Sequence, residues 1–360
     1  LERKGTSILP LHYGHPPEYL YCRAVKLSGL LSELVIENYG VEELIRRIAD
    51  PFWFHSMSLA IGFDWNSSGT TVFALSALKD YFSKRPGEIV ICGGKGKKMG
   101  SMQDELESAR ALGFITASES NKLSVDAKRV AKIDNNLLQD GFDIYLQFLV
   151  VSSKGTHAVV QQGMNTQLRS ARRYHWTLGN TFAGIDGRNG ISSELVLDRT
   201  LDLSAKESEG NRKGIVDVIR EKSFLNVPGE KQATLDGFVM PELRMDYRIN
   251  WNKVRNLYEY NVDDFEQVYM APGIGKSTIR ALSFLAEIVY GEKPSFKDPV
   301  KYSFALGGKD GVPKPVNVYD YDKAIEFYQD VLKHIEIGDQ SRKNLVKLLA
   351  RMSAEASRIK

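Results

Sequence analysis

The chain has 360 residues, of which 42% are hydrophobic and 26% charged. That balance supports buried cores in two or three domains and excludes general disorder. The 48 Lys and Arg nearly cancel the 45 Asp and Glu, for a net charge of +3, so any affinity for a polyanion must come from a local patch or from backbone geometry.

Residues 20–34 and 41–48 carry apolar positions at helical spacing, and Pro51 breaks the second of these helices. A third helix is predicted over 71–82. It follows the polar loop 62–69, where Asn66 or Ser67 would cap it. Residues 88–92 read as a short strand running into a basic glycine-rich loop, Gly93-Gly94-Lys95-Gly96-Lys97-Lys98. Helical stretches follow at 103–112 and 124–138. Residues 142–152 are rich in β-branched and aromatic side chains. Lys154-Gly155 turns the chain, and 156–162 returns as the second strand of a β-hairpin. A further strand is expected at 193–197. Residues 204–258 read as helical at both ends, with a looser link around 228–241. The stretch 291–316 reads as a long loop. Residues 321–335 and 341–359 read as amphipathic helices, the last one basic through Arg342, Lys343, Lys347, Arg351, Arg358 and Lys360. The expected fold is α+β: a mixed N-terminal body with a small antiparallel sheet (1–200), a helical connecting region (201–260), and an all-helical region (261–360).

Cys22 and Cys92 have no CxxC spacing, so neither a zinc site nor a disulfide framework is indicated. No apolar run is long enough to span a bilayer, and the first residues lack a signal-peptide core. The expected compartment is cytoplasmic and reducing, with no membrane partner.

The most informative segment is 262–291. One helix presents Phe265 and Val268, and Pro272 stops it. Gly273 and Gly275 bracket Ile274, and a second helix opens near Ser277 with Ile279, Leu282, Leu285 and Ile288 on one side. Two glycines allow a phosphate to approach the backbone without a Cβ clash. The first turn of the second helix has N–H groups with no intrahelical partner, at the positive end of its dipole. Lys276 adds a charge, and Ile274 is expected to turn inward and lock the two helices together. Pro272-Gly273-Ile274-Gly275-Lys276-Ser277-Thr278 resembles the helix-hairpin-helix family. That resemblance implies binding to the DNA phosphodiester backbone without sequence readout. The alternatives are a plain αα-hairpin with a glycine turn and a protein-interaction helix pair.

Other segments resemble a second family, archaeal and thermophile-enriched, known as domain of unknown function 763. They include Gly5 to His15, Asp50-Pro51-Phe52-Trp53-Phe54, Gly62-Phe63-Asp64-Trp65, Gly93-Gly94-Lys95-Gly96-Lys97, Val160-Gln161-Gln162-Gly163-Met164-Asn165, Ala171-Arg172-Arg173-Tyr174-His175-Trp176, Glu207-Ser208-Glu209-Gly210 and Gly307-Gly308-Lys309-Asp310-Gly311. The resemblance spans most of the chain but implies no activity.

Chemistry is harder to place. Arg172 and Arg173 with Tyr174, His175 and Trp176 suggest a nucleic-acid surface, where arginine grips phosphate and aromatics stack on bases. Lys95 and Lys97 would add to it, although the loop lacks P-loop spacing. Asp134, Asp140 and Glu207 are the expected ligands of a divalent metal, Mg²⁺ or Mn²⁺. Gln162, His175 and Glu209 join Asp134, Asp140 and Glu207 as expected catalytic residues. Glu207 and Glu209 could share a metal only on a non-helical turn. No lysine follows Gln161 or Gln162 at the spacing metal-dependent nucleases use. The expected function is DNA binding, with nuclease activity in DNA repair or processing and association with the nucleoid. The alternatives are a glycosylase using Asp298 and a non-enzymatic accessory protein. Oligomeric state is not specified by the sequence.

Overall fold

The computed structural model describes residues 18–61, 68–84, 87–179, 184–193, 195–220, 257 and 262–300. The expected helices at 321–335 and 341–359, the link at 228–241, residues 301–316 of the expected loop and most of the 62–69 loop lie outside them.

At the centre is a five-stranded antiparallel sheet ordered β1-β3-β4-β5-β6. Its strands are β1 (Ile89–Lys95), β3 (Asp143–Ser152), β4 (His157–Asn165), β5 (Ser170–Leu178) and β6 (Arg188–Ser193). A two-stranded sheet joins β2 (Leu138–Gln139) to β7 (Leu201–Asp202). The fold is therefore α+β with an antiparallel sheet, as the β-branched and aromatic run at 142–152 and the Lys154-Gly155 turn predict. Gly155 sits at φ +87°, which the tight β3–β4 turn requires.

Four helices cover one face: α1 (Glu18–Tyr39), α2 (Val41–Ile48), α3 (Pro51–Ala60) and α4 (Ser68–Ser83). Ile91, Phe148, Val150 and Val160 of the sheet pack there with Leu44, Ile45, Ile48, Phe54 and Leu75. The other face takes Cys92, Leu149, Val151, Val159 and Trp176, packed with Leu123, Val130, Ile279 and Leu282. The helices on that side include α6 (Met102–Ala111), α7 (Ala117–Lys132), α8 (Glu209–Arg220), α9 (Phe265–Met270) and α10 (Lys276–Tyr290). A short α5 (Lys97–Gly100) follows β1. With helices on both faces, β4 and β5 are buried along most of their length, so their polar residues must be satisfied inside the fold.

Several local expectations change. α2 ends at Ile48 as expected, but Pro51 then opens a further helix, α3, capped by Asp50, whose Oδ1 accepts from Phe52 N and Trp53 N at 2.8 and 2.9 Å. Gly93, Gly94 and Lys95 belong to β1 instead of a loop. At Gly93 an added Cβ would lie 2.3 Å from Gln147 O, so strand packing demands that glycine. β5 was not expected, and β6 ends at Ser193, where a strand was expected to begin. Residues 133–137 form a π-helical turn between α7 and β2.

Candidate functional site

Asp264 caps α9, its Oδ1 accepting from Gln267 N at 2.9 Å. Ala271 is extended (φ −57°, ψ 141°), as a residue before proline must be, and α9 stops. Gly273 lies at φ +77°, the left-handed region that suits glycine. Ile274 N donates to Ala271 O at 3.3 Å and closes the turn. Ile274 itself is 2% exposed and sits in the same apolar cluster as Phe265, Val268, Ile279 and Leu282. Pro272, Gly273 and Ser277 are exposed, Gly275 and Lys276 half-buried, and Thr278 buried. Gly275 is the N-cap of α10, and no side chain caps that helix. A Cβ placed on Gly275 would meet nothing within 4 Å.

The hairpin is firmly seated. Asn211 of α8 donates to Ser283 O at 2.9 Å, and Ser283 Oγ donates back to Asn211 Oδ1 at 2.7 Å. Lys132 Nζ donates to Ile274 O at 3.2 Å, and Gln139 Nε2 to Lys276 O at 2.8 Å. Lys276 Nζ lies 2.5 Å from Asp143 Oδ1, the first residue of β3. Two residues along β3, Tyr145 O accepts from Gly96 N at 2.9 Å. The basic segment Lys95 to Lys98, exposed at each lysine, thus leaves the sheet at the end where the hairpin sits. The two anchor points on β3 are about 7 Å apart along the strand.

The other expected site residues go inward. Arg172, Arg173, His175 and Gln162 are 0% exposed. The expected nucleic-acid surface on β5 is corrected accordingly: these side chains alternate into two buried faces because helices cover both sides. Arg172 meets Asp298 through Nη2–Oδ2 at 2.6 Å and Nη1–Oδ1 at 3.1 Å, and Asp140 through Nη1–Oδ2 at 3.0 Å. Tyr174 donates to Asp140 Oδ2 at 2.9 Å, and Phe142 N to Oδ1 at 3.0 Å. Burial pushes the Asp140 carboxyl up to about 6, against the pull of Arg172.

Asp134 is 0% exposed and lies on the same face of the sheet, which Gln161 and Trp176 share with Arg172 and Tyr174. Its Oδ1 accepts from Arg188 Nε at 2.7 Å, and its Oδ2 from Gln161 Nε2 at 2.6 Å and Trp176 Nε1 at 2.8 Å. Glu207 and Glu209 are exposed, and Glu209 pairs with Lys213 at 2.7 Å. Asp134, Asp140 and Glu207 do not fit a shared divalent metal: two are engaged by separate arginines and the third is on the surface. Among the described residues no three His, Cys, Asp or Glu converge. No helix among them is long and apolar enough to cross a membrane.

Sequence reasoning missed the partners. Arg188, Gln161 and Trp176 around Asp134, and Asp298 on Arg172, come from distant elements. The visible signal was polar residues inside an otherwise apolar strand pattern, which in a doubly covered sheet implies an internal network.

No curated protein and no solved structure matches this chain. A family described as "Protein of unknown function (DUF763)" matches residues 5–316, and the chain belongs to that family.

Proposed function

We propose that the chain is a DNA-binding protein of the helix-hairpin-helix kind, gripping the phosphate backbone without reading sequence. The observation that carries this reading is the α9–α10 turn. Ile274 is buried as its pin, while Pro272, Gly273 and Ser277 face solvent beside an uncapped helix start. Backbone N–H groups there, with Lys276 beside them, make an anion-binding edge. Lys95, Lys97 and Lys98 extend the positive surface from the same end of the sheet.

A nuclease would require metal-binding carboxylates, and Asp134 and Asp140 already serve arginines. A glycosylase would require Asp298 to be available to a sugar. Its Oδ2 accepts from Arg172 and from Leu197 N, both at 2.6 Å, and its Oδ1 accepts from Val300 N at 3.2 Å. Backbone binding requires neither. The test is incubation with labelled single-stranded, duplex and lesion-bearing DNA in Mg²⁺, Mn²⁺ or EDTA. Retarded, intact DNA is expected. Cutting that needs metal, or abasic sites formed in EDTA, would replace this reading with the corresponding enzyme. Absence of retardation at low salt would end it.

A further inference from the structure

Three arginines lie in the sheet with side chains almost or wholly buried, and two of them are neutralised. Arg172 has Asp140 and Asp298, and Arg188 has Asp134. Arg173 differs. It is 0% exposed, and among the described residues no carboxylate pairs with it. Its Nε donates to His175 Nε2 at 2.8 Å, and its Nη1 to Thr71 Oγ1 at 3.4 Å. Its guanidinium carbon stands 4.6 Å from the centre of the Phe54 ring, so one flat face is covered by carbon. Its Nη2 is buried with no hydrogen-bond partner.

Among the described residues the surroundings supply hydroxyls but no negative charge. Gln162, Arg173 and Ser192 are direct neighbours across β4, β5 and β6, so all three side chains share one face. Ser192 Oγ is also buried without a partner. Thr71, in the first turns of α4, lies 2.5 Å from Gln162 Oε1. His175 accepts at Nε2, so its proton is on Nδ1, which faces Ile48 O at 3.2 Å. Burial, with Arg173 second, holds His175 well below its ordinary value and takes His55 down to about 3. Both imidazoles are therefore neutral near pH 7, and they compensate nothing.

A buried guanidinium without a counter-charge is strongly unfavourable. A water molecule could satisfy the open N–H but not the charge. We propose that Arg173, Thr71 and Ser192 form an internal site for one tetrahedral oxyanion of the phosphate class, which supplies the missing charge. The guanidinium's planar donors suit such an anion. A DNA backbone is excluded as the occupant, because Arg173 has no exposed surface for a duplex to reach. The anion enters by local opening of the fold, so binding is slow compared with diffusion.

The test is thermal unfolding and calorimetry of the full chain in potassium phosphate against potassium chloride at equal ionic strength. A saturable rise in Tm with inorganic phosphate is expected for the native chain. Arg173→Met should abolish it and, in chloride, melt no lower than the native chain, because it removes an unpaired buried charge. Ser192→Ala should weaken phosphate binding about tenfold. If Arg173→Met does not fold, Arg173→Lys and Ser192→Ala still decide the question. A hairpin variant that loses DNA should keep the phosphate response, which separates this site from the proposed function. No saturable response in the native chain, or an equal response in every folded variant, overturns the proposal. The equal response would be the general exclusion effect of such salts.

Discussion

Arg172 and Asp298 lie 126 positions apart and meet inside the core through two hydrogen bonds of 2.6 and 3.1 Å. Their side chains are 0% and 1% exposed. The pair ties β5 to the segment after α10, and Asp298 also accepts from the backbone N–H of Leu197 and Val300. Removing one partner of a buried pair leaves an uncompensated charge. Asp298→Asn should therefore lower stability by about 3 kcal/mol, read by urea unfolding. DNA affinity of the folded fraction should not change. An unaltered unfolding midpoint would mean that Asp140 alone neutralises Arg172.

The hairpin glycines can be separated by their geometry. Gly275 has extended φ of −120° and open space where a Cβ would go, so Gly275→Val should leave the melting temperature nearly unchanged. It should still reduce DNA affinity, because the side chain holds phosphate off the backbone. Gly273→Val strains a φ of +77° and should lose stability as well. Fluorescence anisotropy with two unrelated duplexes should show the same loss on both. A loss confined to one sequence would point to base readout instead.

The basic segment from the end of β1 into α5 offers a second measurement. Lys95→Ala with Lys97→Ala removes two exposed charges near the hairpin. The slope of log affinity against log salt should then fall by about 2. An unchanged slope places this segment outside the footprint.

Lys276 Nζ lies 2.5 Å from Asp143 Oδ1 with both side chains substantially exposed, so under the proposed function Asp143 would compete with phosphate for it. Exposed pairs contribute little to stability. Asp143→Asn should therefore bind DNA several-fold tighter at low salt without melting differently. Weaker binding would show that the pair orients Lys276 productively.

Two buried histidines make the fold sensitive to acid. His55 falls to about 3 from its usual 6.5, and His175 is also held low by burial. A base depressed in the folded state takes up protons on unfolding, so stability drops as pH falls from about 6.5 toward 3. Asp140, raised to about 6, has the opposite sign: its contribution declines as pH rises from about 4 to 6. The unfolding free energy of Asp140→Asn should accordingly show a steeper loss on acidification than the native chain. A parallel profile would mean Asp140 keeps an ordinary carboxyl value.

The β3–β4 hairpin, the helix α10 and the buried role of Ile274 follow from local pattern: β-branched runs, turn glycines and helical spacing act between near neighbours. Strand β5 could not be read that way. Ala171 to Trp176 carries two adjacent arginines and a histidine beside aromatics, the composition of a nucleic-acid surface, so Arg172 and Arg173 looked like surface cations. Only the tertiary structure decides otherwise, because helices from opposite ends of the chain cover both faces of the sheet. Burial makes charge expensive, and each buried charge must then find its partner across the fold: Asp298 for Arg172, and Arg188 for Asp134. Those pairings join residues far apart in sequence. The chain alone therefore determined the hairpin that faces solvent, while the packing of distant elements determined which acids and bases are already committed.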